Sequence, residues 1–196
     1  MKPILFTILW MIACVGFAQE FTPPVLFKLN KGDKLVYDVR HKGDLYYYTV
    51  EIIECGPKFI YKWEMGEPKN KKGTVEIKSK AMNQAMKITT RVKPDEHLLL
   101  EDACILWISK SLLKSLANNT QPEITIDETT GNKMALMQKN NFTFRYKGAA
   151  LTSEILEVSN QQKFFDLKQF SVLNNPENPL IVKLNMGFTV ELIEIK

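Results

Sequence analysis

Apolar residues recur at every second position through most of this chain, the rhythm of strands with one buried and one solvated face. In the closing stretch, NPLIVKLNMGFTVELIEIK, Leu180, Val182, Leu184, Met186, Phe188, Val190 and Leu192 follow this rhythm without a break. A single strand of that length would be about three times the usual five or six residues. A two-residue turn would reverse the facing of everything after it. A three-residue turn at Asn185-Met186-Gly187 keeps the parity, pairs Leu184 with Phe188 and uses Gly187 where the backbone needs a positive φ. The pattern therefore predicts a closing hairpin with Met186 at its tip and the even-numbered side chains in the core. One long strand is the alternative.

Leu35, Tyr37 and Val39 share one face of a first strand. After a turn at Lys42-Gly43-Asp44, a second carries Tyr46, Tyr48, Val50 and Ile52 on one face. Cys55-Gly56-Pro57 ends it, and a third presents Phe59, Tyr61, Trp63 and Met65 opposite Lys58, Lys62 and Glu64. A polar loop from Gly66 to Gly73 returns the chain to Thr74-Val75-Glu76-Ile77, which completes an antiparallel meander.

Two segments take helical spacing instead. In SKAMNQAMK, residues 79–87, Ala81, Met82, Ala85 and Met86 form a stripe and Ser79 is the expected cap. In SKSLLKSLANN, residues 109–119, Ser109 caps, Leu112, Leu113 and Leu116 face inward, and Asn118 or Asn119 stops the helix. Strand rhythm resumes at 123–128, 133–138, 142–146, 151–159 and 164–172, with turns expected at Thr130-Gly131-Asn132 and Asn140-Asn141.

One-sided strands with two short helices predict a mainly β fold. The expected architecture is a long curved antiparallel sheet or half-barrel with the two helices packed on its concave face. A closed β-barrel or a β-sandwich is the alternative. The layout resembles that of periplasmic lipoprotein carriers and related lipid-handling domains.

The first residues change where such a domain would work. Lys2, an apolar run from Ile4 to Phe17 and small residues in Gly16-Phe17-Ala18 predict an export signal over residues 1–18, cut after Ala18. Residues 19–196 then form a single β-rich domain, periplasmic or secreted. The apolar run is shorter than the roughly 20 residues needed to span a bilayer, so the protein is not expected to be membrane-spanning. Alternatively, Met11-Ile12-Ala13-Cys14 is a lipoprotein signal and the chain is lipid-anchored through Cys14. A net charge of +4 is ordinary and does not point to nucleic acid. Cys55 and Cys104 would be the only cysteines of the exported chain, and an exported pair can be oxidised to a disulfide; two free thiols are the other outcome.

The order of KLNKGDKLVYDV, ILWISKSLLKSL and NPLIVKLNMGFTVELIEI resembles a family of exported β-rich single-domain envelope proteins of Bacteroidota. The resemblance implies a cell-envelope location, one domain and a β-rich fold. It brings no catalytic residue.

Catalysis lacks parts. His41 and His97 lie in polar turns and neither has metal-ligand spacing. There is no G-x-S-x-G elbow, Walker loop or GxGxxG, and Glu101 and Asp102 are adjacent, so in a strand they point apart. No enzyme, cofactor or metal is expected. Lys69-Asn70-Lys71-Lys72-Gly73, with Lys58, Lys62, Lys78 and Lys80, reads as a solvated tip or a contact for anionic headgroups. The aromatic rows are the remaining candidate. Tyr46, Tyr48, Phe59, Tyr61 and Trp63 would share one face of neighbouring strands, where they either fill a core or line a site for a lipid or other apolar ligand. The sequence thus predicts a non-enzymatic envelope protein that binds such a ligand on its concave face. The alternative is a structural or interaction module of an envelope assembly, with a protein partner and no ligand.

Overall fold

Alternation builds the first half of the sheet. The computed structural model describes residues 27–56, 58–161 and 167–196. Residues 1–18, with Cys14 and the expected signal, lie outside them. Strands β1 (Lys34–His41), β2 (Asp44–Cys55), β3 (Lys58–Met65) and β4 (Lys71–Lys78) pair antiparallel in chain order. The β1–β2 turn is only Lys42 and Gly43, with φ of 53° and 90°, the pair of positive values that a tight hairpin needs. β6 (His97–Leu100) then joins β4 in parallel. The crossover holds α1 (Ser79–Gln84) and the short β5 (Lys87–Ile88).

Both helices form, and they end differently from one another. In α2 (Lys110–Ala117), Ser109 Oγ accepts from the Leu112 N–H at 3.0 Å, and Leu112, Leu113 and Leu116 are buried. In α1, Ser79 is the first helical residue and not the cap; Lys78 holds the cap position without a side-chain bond. The chain turns extended at Ala85, ψ 132°, so Met86 leaves the helical stripe and is exposed while Ala81 and Ala85 stay buried.

One expected turn is displaced and another does not form. β7 (Glu123–Ile126) and β8 (Thr129–Lys133) join β5 in a three-stranded sheet, and Gly131 lies inside β8. The reversal comes earlier, at Asp127-Glu128. Asp127 takes a positive φ there, and its carboxylate accepts from Thr90 N–H at 2.8 Å, Thr90 Oγ1 at 2.9 Å and Thr89 Oγ1 at 3.1 Å. The Asn140-Asn141 turn is absent, since β9 (Ala135–Tyr146) runs straight through it. Asn140 Oδ1 satisfies the Asn141 N–H at 2.8 Å. Gln138 and Asn140 donate to Glu157 on β10 (Ala149–Ser159), so side chains that favour turns are used to hold an edge.

The chain ends with β11 (Gln169–Leu173), β12 (Ile181–Asn185) and β13 (Thr189–Ile195). Part of the strand expected over 164–172 lies outside the described residues. The closing hairpin forms, but its loop is Met186-Gly187-Phe188, so Leu184 pairs with Val190 rather than Phe188. Gly187 has a φ of 81°. Phe188 consequently sits half-buried at the tip beside Met186. A second departure follows on β13: Tyr37 pairs with Leu192 but Val36 with Glu194, so Ile193 is an extra residue that bulges outward and Ile195 takes the buried place.

β13 is the hub. One edge bonds β1; the other bonds β12 and then, in parallel through Glu194 and Ile195, β9. Strands β12, β11, β10, β9 and β13 therefore close a five-strand barrel, from which β1, β2, β3, β4 and β6 extend as an open curved sheet. The fold is mainly β, and the half-barrel and the closed barrel occur in one sheet. Phe142 on β9 and Lys183 on β12 meet across the ring, Nζ 5.0 Å from the ring centroid, although their strands are not neighbours. Among the described residues no helix is long and apolar enough to cross a membrane.

Candidate functional site

β2 and β3 do bring the five aromatic residues to one face. Trp63 lies opposite Val50, Tyr61 opposite Ile52, and Tyr48 stacks on Trp63 with centroids 5.8 Å apart. Trp63 can lie flat because its partner on β4 is Gly73: a Cβ there would come within 2.8 Å of Trp63 Nε1. A curved sheet with this row could cradle a ligand. What lies over it decides.

Trp107 covers Phe59 and Tyr61 in this row. It sits between β6 and α2, with its centroid 4.5 Å from Phe59 and 5.5 Å from Tyr61, and its Nε1–H donates to Asn178 Oδ1 at 2.9 Å. Leu112 and Leu116 of α2 are also fully buried in this core. Tyr61 and Trp107 have no exposed surface and Trp63 has 2%. Burial pushes the phenols of Tyr37, Tyr48 and Tyr61 upward, so all three stay neutral. The Tyr37 hydroxyl reaches the Ile181 carbonyl at 3.4 Å, while Tyr61 Oη and Trp63 Nε1 are buried without a hydrogen-bond partner.

Phe59, Tyr61 and Trp63 are therefore core. Tyr46 and Tyr48 are separated from them in role: they border an apolar cleft with Met65, Val92, Leu184 and Phe188 at the hairpin end of the sheet. Its free volume is about 80 Å³. Pockets for drug-sized ligands run to about 300–1,000 Å³. A second hollow, about 370 Å³, opens on the opposite face of the sheet, at the mouth of the ring, and its inward side chains are polar.

The remaining candidates are apart from both hollows or paired. Cys55 and Cys104 are free thiols, so the disulfide is not made. Cys104 is buried behind α1 with Sγ donating to the Ala81 carbonyl at 3.4 Å, whereas Cys55 ends β2 beside Phe59. Burial pushes the Cys104 thiol up to about 12 and raises Cys55 too, the reverse of an activated thiolate. His41 packs on Phe188 and His97 bonds Glu76 at 3.2 Å. Among the described residues, no group of three or more His, Cys, Asp or Glu side chains could hold a metal. Of the lysines around residues 69–73, Lys58, Lys69 and Lys78 each face a carboxylate, on Glu54, Asp44 and Glu76.

Trp107 and the polar mouth carry no sequence signal of their own. Trp107 stands outside any periodic segment, and the mouth is assembled from solvent-side positions of distant strands. Neither a family model, nor a curated protein, nor a solved structure matches the chain.

Proposed function

We propose that this protein is a non-enzymatic exported module of the cell envelope that binds through its outer surface and keeps a core closed to lipid. The observation that carries the reading is Trp107, which occupies the place on the aromatic face where an acyl chain would lie. The small cleft beside Tyr46 and Tyr48 would take a side chain or a short tail. Export is supported by Lys2, the apolar run and Gly16-Phe17-Ala18, and the envelope setting by the resemblance to exported domains of Bacteroidota. The raised thiols of Cys55 and Cys104 and the surface pairing of His97 count against acid–base or nucleophilic catalysis by these residues.

Native mass spectrometry of the protein purified from its own envelope tests this directly. The expected spectrum is the processed polypeptide without a lipid-sized adduct. A stoichiometric lipid adduct that disappears in a Tyr48→Ala variant would instead establish the cleft as the entrance to a ligand site.

A further inference from the structure

The mouth of the ring is built from a row of polar side chains whose register places them side by side. Asp38 and Arg40 of β1 lie opposite Glu191 and Thr189 of β13. Glu191 and Thr189 in turn lie opposite Lys183 and Asn185 of β12, which face Ser171 and Gln169 of β11; Ser171 faces Glu157 of β10. Directly paired residues share a face, so the row crosses five strands on one side of the sheet. The alternating residues Phe170, Leu184 and Val190 turn to the other side and are buried. The resulting hollow of about 370 Å³ lies within the ordinary range of small-ligand sites, about 300–1,000 Å³.

Its chemistry selects the ligand. Three carboxylates and two cations leave no strong charge of either sign, which disfavours a polyanion and gives a cation no dedicated cage. Amides and hydroxyls supply donors and acceptors at short intervals. Several groups are already held in place: Lys183 pairs with Glu191 at 3.2 Å, and Glu157 accepts from Gln138 and Asn140. Asp38 Oδ1, by contrast, is buried and has no hydrogen-bond partner, while Oδ2 lies 3.5 Å from Arg40. An unsatisfied buried carboxylate oxygen calls for a donor. Beside Asp38, across the β1–β2 ladder, stands Tyr47, 60% exposed. Its ring provides an apolar plate with a polar tip on the same face, next to Asp38 of the hollow.

We infer that the ring mouth is a binding site for a neutral saccharide, with hydroxyls donating to Asp38 and engaging Arg40, Asn185, Gln169 and Glu191, and the apolar face of the sugar ring lying on Tyr47. A sugar is the ligand class that offers closely spaced hydroxyls on its edge and C–H groups on its face, which is the pairing this site presents. The inference goes beyond the closed-core reading and stands whether or not the cleft on the other face admits a lipid.

Saturation-transfer NMR decides it, with the whole exported chain and a set of probes: glucose, galactose, mannose, N-acetylglucosamine, their β-linked dimers, and glucuronate. At least one neutral sugar should receive saturation at millimolar concentration, with glucuronate weaker because three carboxylates line the mouth. Tyr47→Ala and Asp38→Asn should each weaken that binding about tenfold or more, the scale of one lost contact. Lys72→Ala, on a distant part of the sheet, should leave it unchanged. Absence of transfer to every neutral probe, a preference for glucuronate, or binding indifferent to Tyr47→Ala would overturn the proposal. Tyr47 is exposed, so that variant decides even where Asp38→Asn disturbs folding.

Discussion

The two hollow faces of the sheet differ in what covers them, and the difference separates stability from recognition. On the meander, Phe59 and Tyr61 lie under Trp107, Trp63 is buried beside Tyr48, and the adjoining cleft keeps only about 80 Å³. At the ring mouth, Arg40, Lys183 and Glu191 stand open beside a partly buried Asp38, in a hollow several times larger than the apolar cleft. Both arise from the same alternation of side chains on shared strands. β1 contributes Tyr37 to one face and Asp38 to the other, and β13 contributes Leu192 and Glu191 in the same way. Substitutions on the first face should therefore register as stability, and on the second as affinity.

The largest effect should come from removing the strand both faces share. A chain stopped at Asn185 loses Val190, Leu192 and Ile195 from the core and opens the ring. At about 1.5–3 kcal/mol for each buried side chain, the loss consumes most of a typical stability of about 5–15 kcal/mol. Circular dichroism should show no cooperative melt. A melt near the full-length temperature would mean that β13 is peripheral and the two faces are not joined through it.

Trp107→Ala should cost about 3–5 kcal/mol, the range for deleting a large buried aromatic, read as a lower denaturation midpoint with an unchanged slope. Gly73→Ala comes next. The added methyl group meets Trp63 at 2.8 Å, an overpacking that should cost about 1–3 kcal/mol in the same measurement. A neutral Gly73→Ala would show that Trp63 has room to move and that the covered face is looser than its burial implies.

The smallest effect sharpens the contrast from the other side. Glu191→Gln breaks a pair with Lys183 in which both side chains are about half exposed, so its cost should stay within about 1 kcal/mol. A loss comparable to that of Trp107→Ala would mean that the mouth is a structural feature of the ring.

The meander, α2 with its Ser109 cap, and the closing hairpin were legible in the sequence because each rests on local signals: period two, helical spacing, and a glycine where φ is positive. The ring was not. Its closure depends on two parallel pairs between β9 and β13, residues far apart in the chain, with no local pattern to announce them. Asn140-Asn141 misled for a related reason. Asparagine favours turns because its side chain bonds nearby backbone, and here that same bond protects a strand edge. The candidate site was legible in part: strand parity placed the five aromatic residues on one face. Which of them would be covered depended on Trp107, a residue whose position comes from packing and not from periodicity. The polar mouth was hidden because solvent-side positions look alike in sequence whether they stand alone or converge.

The central claim is that the aromatic face is closed. It is tested most directly by the fluorescence of Trp63 and Trp107 in the chain from residue 19 onward, which leaves out Trp10, titrated with oleic acid and with phosphatidylglycerol vesicles. The account predicts blue-shifted emission that iodide does not quench and that neither lipid changes. A saturable lipid-dependent shift, lost in Tyr48→Ala, would contradict it and return the aromatic row to the status of a ligand site.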